Sequence, residues 1–161
     1  MKNIEIERKF LIQKLPADLQ DFAHHEIEQG YLCTDPVVRI RRRDDAYILT
    51  VKSGGLMERE EYEIGMDAEA YAHLKPKTDG ILIGKTRYLI PYENHTIELD
   101  VFHGEISPLV LAEVEFDSVA EAEQFVPPDW FGKEVTEDVR YQNAYLSVHG
   151  YDAADGGEPA D

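Results

Sequence analysis

The chain has 161 residues, of which 43% are hydrophobic and 30% charged, as expected of one soluble domain with a real core. Its formal net charge of −17 argues against a general nucleic-acid binder, because such proteins neutralise phosphates with lysine and arginine. Apolar runs of only a few residues exclude a membrane-spanning helix, and the N-terminus lacks the pattern of a signal peptide. Cys33 is the only cysteine, which excludes an internal disulfide and a multi-cysteine zinc site. A cytoplasmic location is therefore the default expectation.

Eight segments of the chain alternate with a period of two, which predicts β-strands. In chain order they cover residues 4–12, 26–33, 37–43, 46–54, 60–66, 84–92, 96–102 and 110–116. The Asp44-Asp45 pair between the third and fourth segments predicts a hairpin turn. Most connections are short, and this favours antiparallel pairing.

Three helices are predicted from capping residues and apolar spacing. Asp67 is placed to cap a helix over 68–75, and Ser118 with Glu121 forms a capping-box pattern that opens 119–126. Thr136 is the predicted cap of a C-terminal helix with Tyr141, Ala144, Tyr145 and Val148 on one stripe. Residues 1–150 are expected to form one domain, and the small, acidic residues 151–161 are expected to form a disordered tail.

The polar faces of the predicted strands repeat charges at every second residue. Like charges at this spacing lie ~6–7 Å apart, and each pair costs on the order of 2–3 kcal/mol when partly shielded from water. Such pairs on six strand segments of one small domain indicate that a bound ligand neutralises them. The pattern comprises Glu5/Glu7/Lys9, Arg39/Arg41/Arg43, Glu61/Glu63, Lys85/Arg87, Glu98/Asp100 and Glu113/Glu115, with Lys52 ending another strand.

Two architectures are compatible with these faces. In an open sheet the charged faces would lie in water, where salt screens their repulsion. The opposite faces are apolar, however, and need to be covered by the predicted helices. We therefore predict an α+β, mainly β fold: a closed eight-stranded antiparallel β-barrel with helices packed outside and a charged lumen. Ile4, Ile6 and Phe10 would then face outward, with Arg8 as an outward-facing charge.

Basic and acidic residues in one lumen favour a metal–polyphosphate complex as the ligand. Arginine offers forked donors to phosphate, and lysine offers a compact charge. Carboxylates supply the hard oxygen ligands that Mg²⁺ or Mn²⁺ prefer.

The ordered motifs also resemble a known family. The ExExK stretch at Glu5, Glu7 and Lys9 is similar to the signature of the CYTH superfamily, the triphosphate tunnel metalloenzymes. The resemblance continues through the stretches RIR, EYE, KTR and EVE, and residues 29–32 and 130–146 are similar to its short bacterial inorganic triphosphatase branch. It implies an eight-stranded tunnel that cleaves or rearranges triphosphates with a divalent metal.

The resemblance also implies roles for individual residues. Lys9, Arg39, Arg41, Lys52, Lys85 and Arg87 would bind the phosphates. Glu113 and Glu115 would bind the metal, helped by Glu61, Glu63 or Asp100, although Glu61 and Glu63 are equally compatible with salt bridges to tunnel arginines. Glu5 and Glu7 would orient or deprotonate the attacking water, directly or through a second metal, and Tyr31 would hydrogen-bond Lys9. The alternative for Tyr31 is a half-buried strand tyrosine.

These features predict metal-dependent hydrolysis of inorganic triphosphate to pyrophosphate and phosphate. Two alternatives stay open within the family: a class IV adenylyl cyclase, and a nucleoside or thiamine triphosphatase. A non-catalytic polyphosphate-binding module is the third, and the presence of all the acidic pairs disfavours it. The expected partner is a small triphosphate with Mg²⁺ or Mn²⁺, without nucleic acid or membrane, and a homodimer is compatible with the sequence.

Overall fold

The computed structural model describes residues 3–53 and 57–152. Most of the predicted tail, from residue 153 onward, lies outside this range. The described strands are β1 (Asn3–Ile12), β2 (Ala23–Thr34), β3 (Val37–Arg43), β4 (Ala46–Lys52), β5 (Glu58–Met66), β6 (Asp79–Tyr92), β7 (His95–Phe102), β8 (Val110–Glu115) and β9 (Phe131–Glu134). The α-helices are α1 (Ala68–Leu74), α2 (Val119–Gln124) and α3 (Asn143–His149). Among the described residues, no helix has both the length and the apolar character needed to cross a membrane.

Strands β1 to β8 form a closed antiparallel barrel, as the alternating pattern predicts. The strand order is β5-β4-β3-β2-β6-β7-β8-β1, and pairing of β5 with β1 closes the ring. The sequence did not predict β9, a four-residue strand that pairs with the C-terminal end of β1. Closure leaves no free edge among the eight barrel strands, and it turns one face of every strand inward.

The outward faces of β1, β6, β7 and β8 form an apolar core beneath α2 and β9. Ile6, Phe10, Leu99, Val114 and Phe125 are all buried in it. At the predicted outward position, Arg8 donates to both carboxylate oxygens of Glu134, at 2.7 and 2.9 Å. It also donates to the carbonyl oxygens of Ala122 and Phe125 at the end of α2. Arg8 therefore ties the outer layer to β1.

A second apolar cluster closes one end of the lumen. Tyr31, Ile83, Phe102 and Leu111 lie on the same inward face of their strands as the polar and charged lumen residues, and they pack with Leu146 of α3. The segment that starts α3 covers this mouth of the barrel, where Gln142, Asn143 and Ala144 border the lumen. The remaining lumen is charged.

The C-terminal helix differs from the sequence prediction. α3 begins only at Asn143 and its N-terminus has no side-chain cap, whereas Asp138 caps a single 3₁₀ turn before it. The Thr136 hydroxyl instead accepts a hydrogen bond from the Lys9 backbone N–H, so the predicted cap was wrong. Leu146 is buried on α3 while Val148 is 52% exposed, so the buried stripe was also misplaced. The predicted caps of α1 by Asp67 and of α2 by Ser118 are confirmed.

Candidate active site

The charged part of the lumen is a cavity of about 290 Å³. Its described lining contains seven basic and seven acidic side chains, so its formal charges balance although the whole chain is strongly acidic. A second space of about 590 Å³ shares Glu5, Glu61, Glu98 and Glu115 with it and continues outward past Asp117 and Glu121. The basic side chains are Lys9, Arg39, Arg41, Arg43, Lys52, Arg59 and Arg87; the acidic ones are Glu5, Glu7, Glu61, Glu63, Glu98, Glu113 and Glu115.

Five of the six predicted phosphate-binding cations line this cavity: Lys9, Arg39, Arg41, Lys52 and Arg87. Lys9 donates to the carbonyl oxygen of Tyr141 at 3.1 Å, and Arg41 donates to the side-chain oxygen of fully buried Gln29 at 2.8 Å. Burial, together with repulsion from Arg39 and Arg87, lowers the pKa of Arg41 to about 9. The buried Nε of Arg39 has no hydrogen-bond partner among the described residues. Basic side chains that repel one another, one of them with a buried donor lacking a partner, are suited to bind an anion.

Lys85 and Asp100 do not line the cavity but lie behind it. Asp100 is fully buried and accepts hydrogen bonds from Arg87 at 2.7 and 2.8 Å and from Lys85 at 2.8 Å. Both of its oxygens are thus engaged by cations. We therefore assign Asp100 to holding Arg87 and Lys85, in place of the metal contact that the sequence indicated. Lys85 meets the cavity lining only from behind, through this group and through a 3.5 Å hydrogen bond to the side-chain oxygen of Asn143.

Three carboxylates meet at the acidic end of the cavity. Glu5, Glu7 and Glu115 each offer an oxygen within 4.8 Å of the others. Burial and the neighbouring carboxylates Glu113 and Glu5 raise the pKa of Glu7 to about 7. Burial and Glu98, followed by Glu5, raise the pKa of Glu115 to about 8. A cluster of hard oxygen donors that repel one another in this way fits a divalent cation such as Mg²⁺ or Mn²⁺.

The carboxylates that form this cluster are not the ones that the sequence predicted as the main metal ligands. Glu113 lies 3.6 Å from Lys9 and 3.4 Å from Arg87. Although burial opposes ionisation, Lys9 and Arg87 hold the pKa of Glu113 well below its usual range. Glu113 therefore lies with the cations, whereas Glu5 and Glu7, predicted to orient or deprotonate water, directly or through a second metal, lie with Glu115 in the cluster. Register explains this arrangement, because Glu7 is paired with Glu115 and Lys9 with Glu113 across β1 and β8.

Glu61 and Glu63 lie outside the three-carboxylate cluster. Glu61 is 3.7 Å from Lys52, so the salt bridge considered from the sequence forms with a lysine. Glu63 is exposed where it borders the cavity.

Tyr31 lies at the closed end of the cavity and is only 2% exposed. Its hydroxyl accepts a hydrogen bond from Gln29 at 3.5 Å, while the Lys9 ammonium donates to Tyr141. Among the described contacts, the Tyr31–Lys9 hydrogen bond implied by the resemblance does not occur. Tyr31 is fully buried between the two parts of the lumen.

Arg59 is the main site residue that the sequence reasoning missed. It donates to Glu5 at 3.0 Å and to Glu7 at 3.3 Å. The fifth strand was predicted to start at residue 60, but β5 starts at Glu58. Extending the period-two pattern by two residues would have placed Arg59 on the same face as Glu61 and Glu63.

Comparison with known proteins agrees with this geometry. The model of the CYTH domain matches residues 3–151 of the chain. The chain belongs to the CYTH family. It is 46% identical over 151 residues to an inorganic triphosphatase of Nitrosomonas europaea, covering 89% of this chain and 97% of that protein. An inorganic triphosphatase of Acetivibrio thermocellus is 38% identical over 154 residues, covering 91% and 95% of the two chains.

The barrel of this CYTH protein also matches solved structures. A crystal structure of an inorganic triphosphatase is 43% identical and superimposes with a TM-score of 0.68, covering 89% of this chain and 94% of the other. The family and the closed barrel predicted from the sequence are thus confirmed.

Proposed function

We propose that this CYTH protein hydrolyses inorganic triphosphate to pyrophosphate and phosphate with Mg²⁺ or Mn²⁺. The observation that carries the proposal is the cavity itself, in which converging cations lie next to the cluster of Glu5, Glu7 and Glu115. The two relatives named inorganic triphosphatase support the same substrate class, since each is aligned over most of its length. The identity of the metal and that of the substrate are both part of the proposal.

The basic side chains would bind the phosphate chain. Phosphoryl transfer depends mainly on positioning and on neutralising the charge of the non-bridging oxygens. Arg39 and Arg41 come from alternate positions of β3, and Arg87 comes from β6, so these donors enter the lumen from two strands separated only by β2. Ion pairs with Asp100 at 2.7 Å and with Glu113 at 3.4 Å orient Arg87. Lys9, Lys52 and, through the Asp100 group, Lys85 complete the set.

The carboxylate cluster would hold the cation. A bound Mg²⁺ or Mn²⁺ would neutralise phosphate charge and lower the pKa of bound water. Glu5, Glu7 and Glu115 together would hold this cation, because one oxygen of each lies within 4.8 Å of the others. A carboxylate has two oxygens, so Glu7 can hold the cation with one oxygen and accept a proton of the attacking water with the other.

The alternatives predict different products. A class IV adenylyl cyclase converts ATP to cyclic AMP, and a nucleoside or thiamine triphosphatase must accommodate an organic group beside the phosphates. A non-catalytic binding module has no need of the carboxylate cluster, whose mutual repulsion raises the pKa values of Glu7 and Glu115. The cluster therefore favours an enzyme.

Substrate profiling tests the proposal directly. Phosphate release is measured from tripolyphosphate, ATP, thiamine triphosphate and pyrophosphate with Mg²⁺, Mn²⁺ or excess chelator. We expect tripolyphosphate to be hydrolysed fastest, pyrophosphate to be left intact and chelator to abolish turnover. Ca²⁺ should inhibit, because it prefers a larger and looser oxygen shell than Mg²⁺. Formation of cyclic AMP from ATP with tripolyphosphate untouched would overturn the hydrolase assignment, and turnover in chelator would remove the metal.

A further inference from the structure

Arg59 lies between two of the three carboxylates that are proposed to hold the metal. Its Nη2 is 3.0 Å from Glu5 Oε1 and 3.3 Å from Glu7 Oε2. The position follows from barrel closure, because Arg59 on β5 is the direct cross-strand partner of Glu5 on β1. One guanidinium nitrogen thus bridges the same carboxylates that a divalent cation would bridge.

Arg59 matters more to Glu7 than to Glu5, because Glu5 has a second cation nearby. Glu5 also has Lys52 at 3.2 Å, whereas Arg59 is the one basic side chain within 4.0 Å of Glu7 among the described residues. Two buried carboxylates this close repel each other strongly without a cation between them. Arg59 therefore supplies the positive charge that the cluster needs in the metal-free protein.

These contacts leave one hydrogen-bond donor of the Arg59 guanidinium without a partner in the described part of the chain. Its Nε is buried and has no hydrogen-bond partner among the described residues, and its side chain is 11% exposed and lines the cavity. A buried donor without a partner costs free energy, so the observed position is one that a ligand can improve. Arginine is also well suited to bind phosphate oxygens with two donors at once.

We propose that Arg59 is an internal counter-cation of the metal site, which a divalent metal displaces from Glu5 and Glu7. The displaced guanidinium then donates to the phosphate chain next to the metal. Arg59 is thus a positioning residue in the metal-free protein and a phosphate ligand in the loaded one. Metal and polyphosphate bind cooperatively as a result, because the metal releases a donor that the phosphate uses. This inference rests on the proposed metal-dependent function.

The direct test is Mn²⁺ affinity in the absence of any phosphate compound. Arg59→Met removes the guanidinium but keeps a similar apolar stem, and Arg43→Met removes an exposed charge that lines the same cavity. Both variants lose one positive charge, so their difference isolates the contact with Glu5 and Glu7. We expect Arg59→Met to bind Mn²⁺ about tenfold more tightly than the wild type, and Arg43→Met to show a smaller gain.

The outcomes separate the inference from its premise. If the wild type binds Mn²⁺ and Arg59→Met binds it no more tightly than Arg43→Met does, displacement is wrong while the proposed function stands. Weaker binding by Arg59→Met would show that Arg59 only supports the shape of the cluster. If the wild type binds no Mn²⁺, both the metal site and this inference fail.

A second measurement follows the wild type itself and needs a variant only to assign one resonance. The Nε–H resonance of Arg59, identified by its loss in Arg59→Lys, is followed by NMR during titration with Mg²⁺ and then with pyrophosphate. We expect Mg²⁺ to shift the resonance and pyrophosphate to shift it again only when Mg²⁺ is present. A resonance unchanged by Mg²⁺ would overturn the displacement.

Cooperativity gives a third readout, the affinity for pyrophosphate with and without Mg²⁺. We expect the gain in affinity caused by Mg²⁺ to be smaller in Arg59→Met than in the wild type or Arg43→Met. An equal gain in all three proteins would show that Arg59 does not couple the two ligands.

Discussion

Arg87 and Asp100 face each other across β6 and β7 and form a bidentate ion pair inside the barrel. The two hydrogen bonds measure 2.7 and 2.8 Å, and Lys85 donates to the same carboxylate at 2.8 Å. Asp100 has no exposed surface. One buried carboxylate therefore neutralises and orients two cations, one of which lines the cavity.

Removing Asp100 should destabilise the fold more than it impairs metal binding. Asp100→Ala leaves Arg87 and Lys85 as buried, uncompensated cations, and we expect a loss of about 3–5 kcal/mol in the free energy of unfolding. Urea denaturation measures this loss, and Mn²⁺ titration measures the metal affinity. The matched control is Glu98→Gln, which weakens a partly exposed 3.3 Å pair with Arg87 and should cost less than about 1 kcal/mol. A large loss of Mn²⁺ affinity with unchanged stability would return Asp100 to the metal ligands.

Neutralising Glu115 should abolish hydrolysis while leaving the barrel intact. Glu115→Gln removes one carboxylate of the three-residue cluster, and we expect turnover of tripolyphosphate to fall more than about 100-fold. Phosphate release measures the rate and circular dichroism the fold. Glu123→Gln, on the exposed side of α2, is the control that should keep wild-type activity. Unchanged turnover in Glu115→Gln would remove that residue from the site.

Protons should compete with the metal for the carboxylate cluster. Burial and neighbouring carboxylates raise the pKa of Glu7 to about 7 and that of Glu115 to about 8. The folded protein keeps these protons at a pH where the unfolded chain has released them, so their contribution to stability falls as pH rises from about 5 through 7 to 8. Mg²⁺ binds the deprotonated carboxylates and should offset this loss.

Thermal unfolding with Mg²⁺ or with chelator measures this competition. We expect the stabilisation by Mg²⁺ to grow steadily between about pH 5 and pH 8, the window set by the two raised pKa values. In Glu115→Gln the growth should be smaller. A stabilisation by Mg²⁺ that is constant over this window would contradict the raised pKa values.

Arg8 should affect stability but not catalysis. Its guanidinium joins Glu134 of β9 to two carbonyl oxygens at the end of α2, on the outside of the barrel. Arg8→Met leaves those carbonyl oxygens without this donor, and we expect the free energy of unfolding to fall by about 1–3 kcal/mol. The turnover number of the folded protein should match the wild type. A lower turnover number at full folding would show that the outer layer controls the lumen.

Several features of this CYTH protein follow from local sequence alone. The period-two alternation of residues 4–12 specifies which side of β1 is charged, because a strand cannot turn successive side chains to the same face. The caps Asp67 and Ser118 act within one turn of their helices, so the sequence predicts them correctly. The ordered charge pairs also predicted the family, because their order and spacing can be read from the sequence without knowing how the strands pack.

Other features depend on which strands become neighbours. Glu113 and Glu115 are equivalent in sequence, yet register places Glu113 opposite Lys9 and Glu115 opposite Glu7. Burial raises the pKa of both carboxyls, but Lys9 and Arg87 lower that of Glu113, whereas Glu98, Glu5 and Glu7 raise that of Glu115 further. Thr136 was misread as a helix cap because its actual partner, the backbone of Lys9, is distant in sequence.

The sequence by itself thus determined the charged and apolar faces of the strands, the closed barrel and the family of this protein. Only the tertiary structure decided how the charges are paired: Asp100 with Arg87 and Lys85, and Arg59 with Glu5 and Glu7. The physical reason is the separation along the chain over which each effect acts. Alternation and capping act over a few residues, whereas a pKa or an ion pair depends on charges a few ångströms away that closure of the barrel brings from distant strands.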